Sequence, residues 1–373
     1  MYSAPPLDEV EISTFGTGYG ESMLCHLGNN CWIIVDSCLD PVSKQPYPLT
    51  YLQSIGVNPE ASVKHIIATH WHDDHIRGLG TIVEECKSAD FICSEALKSD
   101  EFLTLVSAYG KRSMMTSSGV EEFYKVLQTL ETLVRYAPQK TPKFAIEDRC
   151  LKRVLPENSV LSLPCEIHSL SPSDYAVLLT KIEIAKLVPK EKTIKRRVLE
   201  ISPNHSSVVL LITIGDLCIL LGSDLEETGN AQTGWTKIVN SQSRLRKKAS
   251  LFKIPHHGSK NADLSDVWTE MLNSQPFAIL TPFVKGNIYL PTKDDVMRIG
   301  SRTNNAYITA LPRWKKSRKR PTMVEKTVRE SGIIIKQYNQ AVGHVRLRIK
   351  PLENNTNWLV NRYGEALMLK DVY

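Results

Sequence analysis

The chain has 373 residues, 42% of them hydrophobic and 23% charged, with a formal net charge of +6. This composition predicts a folded, soluble protein that buries one large core or two medium ones. The eight cysteines are scattered without a C-x-x-C pair. That pattern excludes a disulfide framework at this length and predicts buried free thiols in a reducing compartment.

The N-terminal part of the chain carries apolar runs typical of β-strands. Residues 10–15 and 32–36 flank a glycine-rich turn at 16–21. The residues after that turn, 22–27, predict another strand, whereas a dinucleotide-binding fingerprint would need a helix there. A further apolar run, Val63–Ala68, predicts the strand that leads into the most informative segment.

That segment is H-W-H-D-D-H at positions 70–75, which holds three of the ten histidines. Because it follows a predicted strand directly, a tight turn can direct His70 and His72 at one metal ion while Asp74 and His75 face a second. Imidazole nitrogens and carboxylate oxygens, with no cysteine among them, favour Zn²⁺, Mn²⁺ or Fe over a thiolate site.

A helical section follows. Apolar residues at helical spacing predict helices over 95–109 and 118–136, the second with a capping box from Ser118 and Glu121. We assign no chemistry to this section and interpret it as a helical insertion, at about 95–150, laid against a sheet.

Strands resume in the second half of the chain, and each remaining candidate ligand lies next to one. These candidates are His205, Asp224, His256 and His257. Side chains at strand ends project from the rim of a sheet, where several loops can converge on one pocket. His26, His65, His168 and His344 lie inside strand-like runs or near no other ligand, and we predict structural roles for them.

We expect one domain over residues 1–373. A basic loop at about 312–325 precedes a predicted closing β-hairpin made of 333–338 and 344–350. Strands in both halves, with helices between them, favour two sheets with helices outside over a purely parallel sheet.

Positive charge is concentrated in runs at 190–197, 244–248 and 313–320, and the last holds six basic residues in eight. Like charges this dense repel one another unless an anionic partner neutralises them, so the run at 313–320 indicates such a partner. Trp314 within that run offers a surface on which bases could stack.

Three segments resemble motifs of the metallo-β-lactamase fold superfamily: T-H-W-H-D-D-H at 69–75, G-S-D at 222–224 and P-H-H-G-S at 255–259. Three more are similar to the soluble hydrolase domain of ComEC-type competence proteins and their stand-alone relatives. They are F-G-T-G-Y-G-E at 15–21, N-H-S-S-V-V-L at 204–210 and N-I-Y-L-P at 287–291, where Leu290 replaces the family's histidine. The resemblance spans roughly 10–93 and 154–349. It implies an α/β protein with the four-layer αββα fold, two mixed β-sheets sandwiched between helices.

The resemblance also implies a dinuclear metal site. One ion would be held by His70, His72 and His205, and the other by Asp74, His75 and one of His256 or His257, with Asp224 bridging both. His257 matches the ligand position of related nucleases better, which leaves His256 as a candidate proton donor. Asp36 is placed to orient a ligand histidine from behind.

Two divalent ions that share a carboxylate and a water lower the pKa of that water from its bulk value toward roughly 7. The metal-bridging hydroxide can then attack a phosphorus or carbonyl centre, with Asp74 accepting its hydrogen bond, and no Ser, Cys or Lys nucleophile is needed. We therefore expect a metal-dependent hydrolase with two ions, Zn²⁺ or Mn²⁺. Its first-choice substrate is a phosphodiester of DNA or RNA, which makes it a nuclease. Candidate substrate contacts are Ser259, Lys260, Lys285 and Asn287.

Two other functions stay open. One is hydrolysis of a small phosphodiester, such as a cyclic nucleotide or a lipid head group. The other is nucleic-acid binding by a protein whose metal site is vestigial. A lactone or β-lactam ranks lower, because its pocket would not favour so many cations.

We expect a nucleic-acid partner and leave open a partner protein or a homo-oligomer. The longest apolar stretch, 207–222, is broken by Gly215 and Asp216, so it predicts two strands and no membrane span. No basic segment followed by an apolar one is visible at the N-terminus, and we expect a cytoplasmic location.

Overall fold

The computed structural model describes residues 2–16, 18–110, 119–155, 159–188, 204–312, 314, 322–331, 342–353 and 357–372. Two eight-stranded β-sheets pack face to face, and helices cover their outer faces. The predicted α/β class, with two mixed sheets between helices, is confirmed.

The first sheet combines the N-terminal strands with strands from the end of the chain. It contains β1 (Val10–Gly16), β2 (Glu21–His26), β3 (Trp32–Val35), β4 (Val63–Ala68), β5 (Asp90–Ser94), β6 (Lys143–Ala145), β16 (Gly343–Ile349) and β17 (Leu359–Tyr363). The spatial order is β17-β16-β1-β2-β3-β4-β5-β6, and β3 to β6 run parallel. β16 pairs with β1 and β17; residues 333–338, the other half of the predicted hairpin, lie outside the described residues.

The second sheet is built from the middle and end of the chain. It contains β7 (Arg149–Val154), β8 (Cys165–Ser169), β9 (Leu210–Ile214), β10 (Leu217–Leu221), β11 (Ala249–Lys253), β12 (Leu272–Leu280), β15 (Ala306–Ile308) and β18 (Leu367–Met368). The spatial order is β18-β15-β12-β11-β10-β9-β8-β7, and β10, β11, β12 and β15 run parallel. A separate hairpin is formed by β13 (Phe283–Lys285) and β14 (Ile288–Leu290).

Helices complete the outer layers. They are α1 (Tyr47–Ser54), α2 (Pro59–Ser62), α3 (Asp73–Ile76), α4 (Leu79–Glu85), α5 (Asp100–Gly110), α6 (Gly119–Tyr136), α7 (Asp174–Leu187), α8 (Gly234–Asn240), α9 (Lys293–Arg302) and α10 (Thr322–Glu330). α9 begins with a capping box, in which Thr292 and Asp295 satisfy each other's backbone N–H groups.

The predicted helical section at 95–150 contains a short 3₁₀ helix, Glu95–Lys98, and then α5 and α6. Its last residues form β6 and the start of β7 instead, which extend the edges of the two sheets. Ser118 of the predicted capping box lies outside the described residues. So do 313 and 315–321 of the predicted basic loop, while Thr322 already begins α10.

Three layers of buried apolar side chains hold the sheets and helices together. Between the sheets lie residues such as Ile33, Ile67, Ile212 and Leu251. The other two layers pack the outer face of each sheet against its helices. All eight cysteines are free and six are buried, as predicted, while Cys150 is exposed. In the described parts of the chain, no helix combines the length and apolar character needed to cross a bilayer.

Two histidines of the first sheet make stability depend on pH. Burial lowers the pKa of His26 and of His65 to about 4. The His26 ring is neutral, because Nδ1 donates to the Glu9 carbonyl at 2.8 Å and Nε2 accepts from the Asn30 N–H at 3.1 Å. Below the ordinary histidine pKa of 6.5, His26 and His65 therefore bind protons in the unfolded chain but stay neutral in the folded chain.

We predict that the free energy of unfolding falls as pH drops from 6.5 toward 4, by up to about 3 kcal/mol for each ring. Denaturant titrations of the wild type and of His26→Gln across this range measure the dependence. The variant should give a shallower pH dependence, and identical slopes would contradict the prediction.

Candidate metal centre

All the predicted ligands except His205 lie at the carboxyl-terminal ends of parallel strands. β3 and β4 run parallel in the first sheet, and β10 and β11 run parallel in the second. Asp36 follows β3, the segment 70–75 follows β4, Asp224 follows β10, and His257 follows β11. Parallel strands end at the same edge of a sheet, so these side chains collect where the two edges meet.

Four buried side chains, two from each sheet, form the centre: Asp74, His75, Asp224 and His257. Each offers a ligand atom, and these atoms all lie within 4.8 Å of one another. His257 Nε2 is 3.3 Å from Asp74 Oδ2 and 3.6 Å from Asp224 Oδ2. His75 Nε2 is 3.2 Å from Asp224 Oδ2. Nitrogen and oxygen atoms this close together are typical of a site for a divalent cation.

A second group, Asp36, His70 and His75, adjoins the first and shares His75 with it. The ring of His70 lies 4.3 Å from that of His75 and 4.7 Å from that of His72, between centroids. His70, His72 and His75, which follow β4, therefore lie close together, as the H-x-H-x-D-H spacing predicts.

Several polar atoms of the site are buried without a hydrogen-bond partner: His70 Nε2, His75 Nε2, His205 Nδ1 and Asp224 Oδ1. Leaving such atoms unsatisfied is costly in a folded protein. Imidazole nitrogens and a carboxylate oxygen are metal ligands, and coordination would satisfy them. The donor set therefore fits a centre of divalent ions.

Charge reinforces this fit. Burial by itself would lower the pKa of His75, but Asp224 and Asp74 outweigh it and hold that pKa well above its usual value. Burial would likewise raise the pKa of Asp74, yet His75 and His257 keep it well below its usual range. The carboxylates thus stay ionised and create a potential that attracts cations.

His70 differs from His75. Burial, with a smaller contribution from the neighbouring His75 and His72, holds the pKa of His70 well below its usual value. Its ring is therefore neutral, which is the form that binds a metal ion.

Asp36 lies behind the ligand histidines. Its Oδ2 accepts the Nδ1–H of His75 at 2.8 Å and the hydroxyl of Thr69 at 2.7 Å. Because the Thr69 hydroxyl donates its hydrogen bond to Asp36, Thr69 Oγ1 is the acceptor for the Nδ1–H of His70, 3.0 Å away. Both rings keep Nε2 for a ligand, so the contacts of Asp36 are those of the predicted orienting residue.

Four residues around the site have left-handed backbone conformations. Asp36, Ser223, His256 and His257 all have positive φ, at 59°, 48°, 45° and 53°. A left-handed conformation costs a non-glycine residue about 1–3 kcal/mol and persists only where surrounding contacts hold it. Here it turns the chain sharply at three of the strand ends that carry the site.

The two adjacent histidines point in different directions. His257 faces Asp74 and Asp224, whereas His256 is partly exposed, with its Nδ1 3.1 Å from Asn261 Oδ1 and 3.7 Å from Glu226 Oε1. His257 is therefore placed as a ligand. His256, the alternative ligand and predicted proton donor, lies outside both ligand groups because successive left-handed residues turn its ring away.

Two more predicted ligands, His72 and His205, also fall outside the two groups. His205 precedes β9, and burial lowers its pKa, which keeps the ring neutral. Residues 201–203, which lead into it, are not among the described residues. The set predicted for one ion, His70 with His72 and His205, is thus brought together only at its His70–His72 side.

The hairpin of β13 and β14 lies against the centre, because Phe283 stacks on His257 with ring centroids 5.0 Å apart. Lys285 and Asn287, two predicted substrate contacts, belong to this hairpin and its turn. Ser259 and Lys260 follow the turn that carries His257, and Lys260 is exposed.

Arg77, which the sequence analysis missed, sits two residues after His75. Its guanidinium lies 4.8 Å over the ring of Tyr19, and Tyr19 lies 5.7 Å from Phe283. The Nε of Arg77 has no hydrogen-bond partner, and the guanidinium makes no ion pair with the residues described. Its position just after the histidine cluster was the only signal that could have identified it.

Four other site residues were also missed: Glu21, Thr69, Lys253 and Thr281. Each begins, ends or follows a strand, and nothing in the local sequence distinguishes Lys253 or Thr281 from a residue of the core. Glu21, which closes the glycine-rich opening segment, and Thr69, which begins the T-H-W-H-D-D-H motif, had a recognisable signal.

Part of the basic surface has structural partners. Arg244, the first residue of the basic run at 244–248, is buried and pairs with Glu270 at 3.5 Å. Trp314 is half-buried against the second sheet's outer core and donates its indole N–H to the Pro291 carbonyl at 2.8 Å. Both residues therefore have partners within the fold, and the predicted contact with a nucleic acid stays a prediction. The run at 190–197 lies outside the described residues.

Residues 16–139 match the family model of the metallo-β-lactamase superfamily. No curated protein matches the chain.

Among solved structures the chain is similar to a HARLDQ-motif mutant of a metallo-β-lactamase from Cronobacter sakazakii, with 13% identity, 65% of this chain and 75% of that one covered, and a TM-score of 0.34. It is similar also to the metallo-β-lactamase fold protein YhfI from Bacillus subtilis, with 14% identity, 65% and 70% coverage, and a TM-score of 0.30. A third is MEM-A1, a subclass B3 metallo-β-lactamase from a soil metagenome library, with 11% identity, 70% and 85% coverage, and a TM-score of 0.34. Similarities at this level do not bear on the substrate.

The adjacent histidines provide a matched test of the metal site. We predict that His257→Ala lowers the content of bound divalent ions, because it removes a ligand that faces Asp74 and Asp224. His256→Ala should retain the wild-type content, since its ring faces Asn261. Elemental analysis of the purified proteins decides the matter, and equal metal loss in both variants would contradict this assignment.

Proposed function

From its metallo-β-lactamase fold and its buried ligand cluster, we propose that this protein is a metal-dependent hydrolase with two divalent ions, Zn²⁺ or Mn²⁺. The observation that carries the proposal is the convergence of Asp74, His75, Asp224 and His257 from two sheets. Members of the superfamily are metal-dependent hydrolases, and the family match covers Asp74 and His75.

Charge balance supports two ions. Four buried carboxylates, Glu21, Asp36, Asp74 and Asp224, surround the site, with one buried ammonium, Lys253, among them. When these five groups are ionised and the ligand histidines are neutral, as metal binding requires, three negative charges remain without compensation in a region that excludes water. One divalent ion would leave that region negative, which is costly at low dielectric, so a second is favoured.

When bound, two divalent ions would supply an acidified water and stabilise the negative charge that develops during hydrolysis. The protein's own residues would do the rest. Asp74 stays ionised and can accept a hydrogen bond from the attacking water, while Asp36 and Thr69 hold His75 and His70 with their Nε2 atoms turned toward the site. His256, partly exposed at the edge of the site, is our candidate to protonate the leaving group.

We propose a phosphodiester of DNA or RNA as the substrate, which makes the protein a nuclease. Arg77 supports this choice, since an arginine without a carboxylate partner beside a hydrolytic centre suits a phosphate. Tyr19 and Phe283 line up between Arg77 and His257 and offer rings on which a base could stack. The ComEC-like motifs and the net charge of +6 agree with an anionic polymer.

A small phosphodiester, such as a cyclic nucleotide or lipid head group, is the second candidate. It is favoured by the structural use of Arg244 and Trp314, because two features that indicated a polymer surface are engaged within the fold.

We predict that the purified protein hydrolyses bis(p-nitrophenyl) phosphate or DNA with added Mn²⁺ or Zn²⁺. Asp74→Asn should lower turnover at least about 100-fold, because it removes the negative charge of a ligand and replaces one of its two acceptor oxygens with an NH2 donor. His168→Asn, on the far strand β8, is the control and should keep full activity. Full activity in Asp74→Asn would refute the mechanism. Cleavage of the small ester without DNA cleavage would favour the second candidate.

Arg77 gives a separate test of the substrate's charge. Replacement by glutamine should raise KM for a phosphodiester about 10-fold, through loss of a charge-assisted hydrogen bond, and leave the metal content unchanged. Arg135→Gln, on the exposed side of α6, is the matched control. An unchanged KM in Arg77→Gln would exclude a phosphate contact.

A further inference from the structure

A buried ion pair joins the two sheets directly beneath the metal centre. Glu21 begins β2 of the first sheet, and Lys253 ends β11 of the second. Lys253 Nζ lies 2.5 Å from Glu21 Oε1, and both residues are almost completely buried. Burial of two charges is costly unless further bonds use their remaining donors and acceptors, so the partners of this pair indicate what it holds in place.

Lys253 reaches toward Asp224. Its Nζ donates to the Ser223 carbonyl at 2.9 Å and lies 3.7 Å from Asp224 Oδ1, an oxygen that has no hydrogen-bond partner of its own. Ser223 has a φ of 48°. The ammonium therefore fixes both the strained backbone before Asp224 and the direction of its carboxylate.

Glu21 reaches toward His257 through a threonine. Its Oε2 accepts the hydroxyl proton of Thr281, the residue that follows β12. Because the Thr281 hydroxyl proton is used in the bond to Glu21, Thr281 Oγ1 can only be an acceptor for His257 Nδ1, which lies 3.0 Å away. The Thr281 carbonyl, 3.2 Å from the same nitrogen, can also only accept. His257 is thus held with Nδ1 protonated and Nε2 directed at Asp74 and Asp224.

The first sheet uses the same arrangement. There a carboxylate, Asp36, accepts the hydroxyl of Thr69, and Thr69 accepts from a ligand histidine, His70. A buried carboxylate and a threonine therefore stand behind the ligands of each sheet. Glu21, which reaches the second-sheet ligand His257 from the first sheet, is in addition paired with a lysine.

We propose that the Glu21–Lys253 pair positions both second-sheet ligands, Asp224 through Lys253 and His257 through Thr281, and so sets the affinity of the centre for divalent ions. These are positioning residues, since none of them is placed to touch the substrate. The proposal rests on the metal site of the proposed function and is independent of its substrate.

Titration of the metal-free protein with Co²⁺, followed by its visible absorption, tests the proposal without any substrate. Thr281→Val keeps the shape of the side chain but removes the hydroxyl, and it should weaken Co²⁺ binding about 10- to 100-fold, as loss of a group behind a metal ligand does. Thr281→Ser restores the hydroxyl and should restore the affinity.

Thr309→Val is the matched control. Thr309 is also a buried threonine just after a strand, next to Thr281 around Gly16, but its hydroxyl has no hydrogen-bond partner. Its replacement should leave Co²⁺ affinity unchanged. Equal affinities in the wild type, Thr281→Val and Thr309→Val would overturn the proposal.

A second variant addresses the ion pair. Because Glu21→Gln alone would leave the buried Lys253 ammonium without its nearest carboxylate, it is combined with Lys253→Met, so that both charges are removed together. Weaker Co²⁺ binding with an altered absorption band is expected, and a wild-type spectrum and affinity would overturn the role of the pair. Wild-type protein that binds Co²⁺ but hydrolyses no phosphodiester would refute the proposed function alone.

Discussion

Burial of charge where the two sheets meet is the constraint on which the rest of this structure depends. Glu21, Asp36, Asp74 and Asp224 are nearly inaccessible to water, and Lys253 is the one buried lysine among the described residues. Carboxylates gathered this closely repel one another, so the folded chain needs positive charge at their centre, either as protons on histidines or as bound cations. The pKa of His75 is raised because Asp224 and Asp74 stabilise its positively charged form. Two divalent ions would meet the need for positive charge more fully, and this is why we propose a metal-dependent hydrolase.

The fold meets this constraint with strand ends. β3 and β4 in one sheet, and β10 and β11 in the other, run parallel and end at facing edges, so four short connections contribute to one centre. Left-handed residues at three of these connections turn the chain there. A threonine bound to a carboxylate then fixes a histidine ring on each side. Left-handed residues and buried polar contacts therefore occur together at the site, while the layers around it are apolar.

Positive charge has two distinct roles in this chain, and sequence alone does not separate them. Arg244 belongs to a basic run that indicated a surface for an anionic polymer, yet it is buried and paired with Glu270. Arg77 stands outside any run, but it lies near the centre beside Tyr19 without a carboxylate partner. Burial and partner choice decide which cation can meet a substrate, and both depend on contacts between distant parts of the chain.

The sequence by itself determined the fold class and the histidine cluster, because both depend on local patterns. An apolar run of strand length predicts β4. The H-x-H-x-D-H spacing within one turn brings His70, His72 and His75 close together through local geometry. Only the tertiary structure showed that His257, and not His256, faces the ligand cluster, since the direction of each ring depends on the φ of successive residues. It alone revealed Glu21, Lys253 and Thr281, which meet across the two sheets from positions far apart in the chain. A contact between distant residues leaves no periodicity in the sequence, and its energy comes from burial that exists only after the sheets have packed.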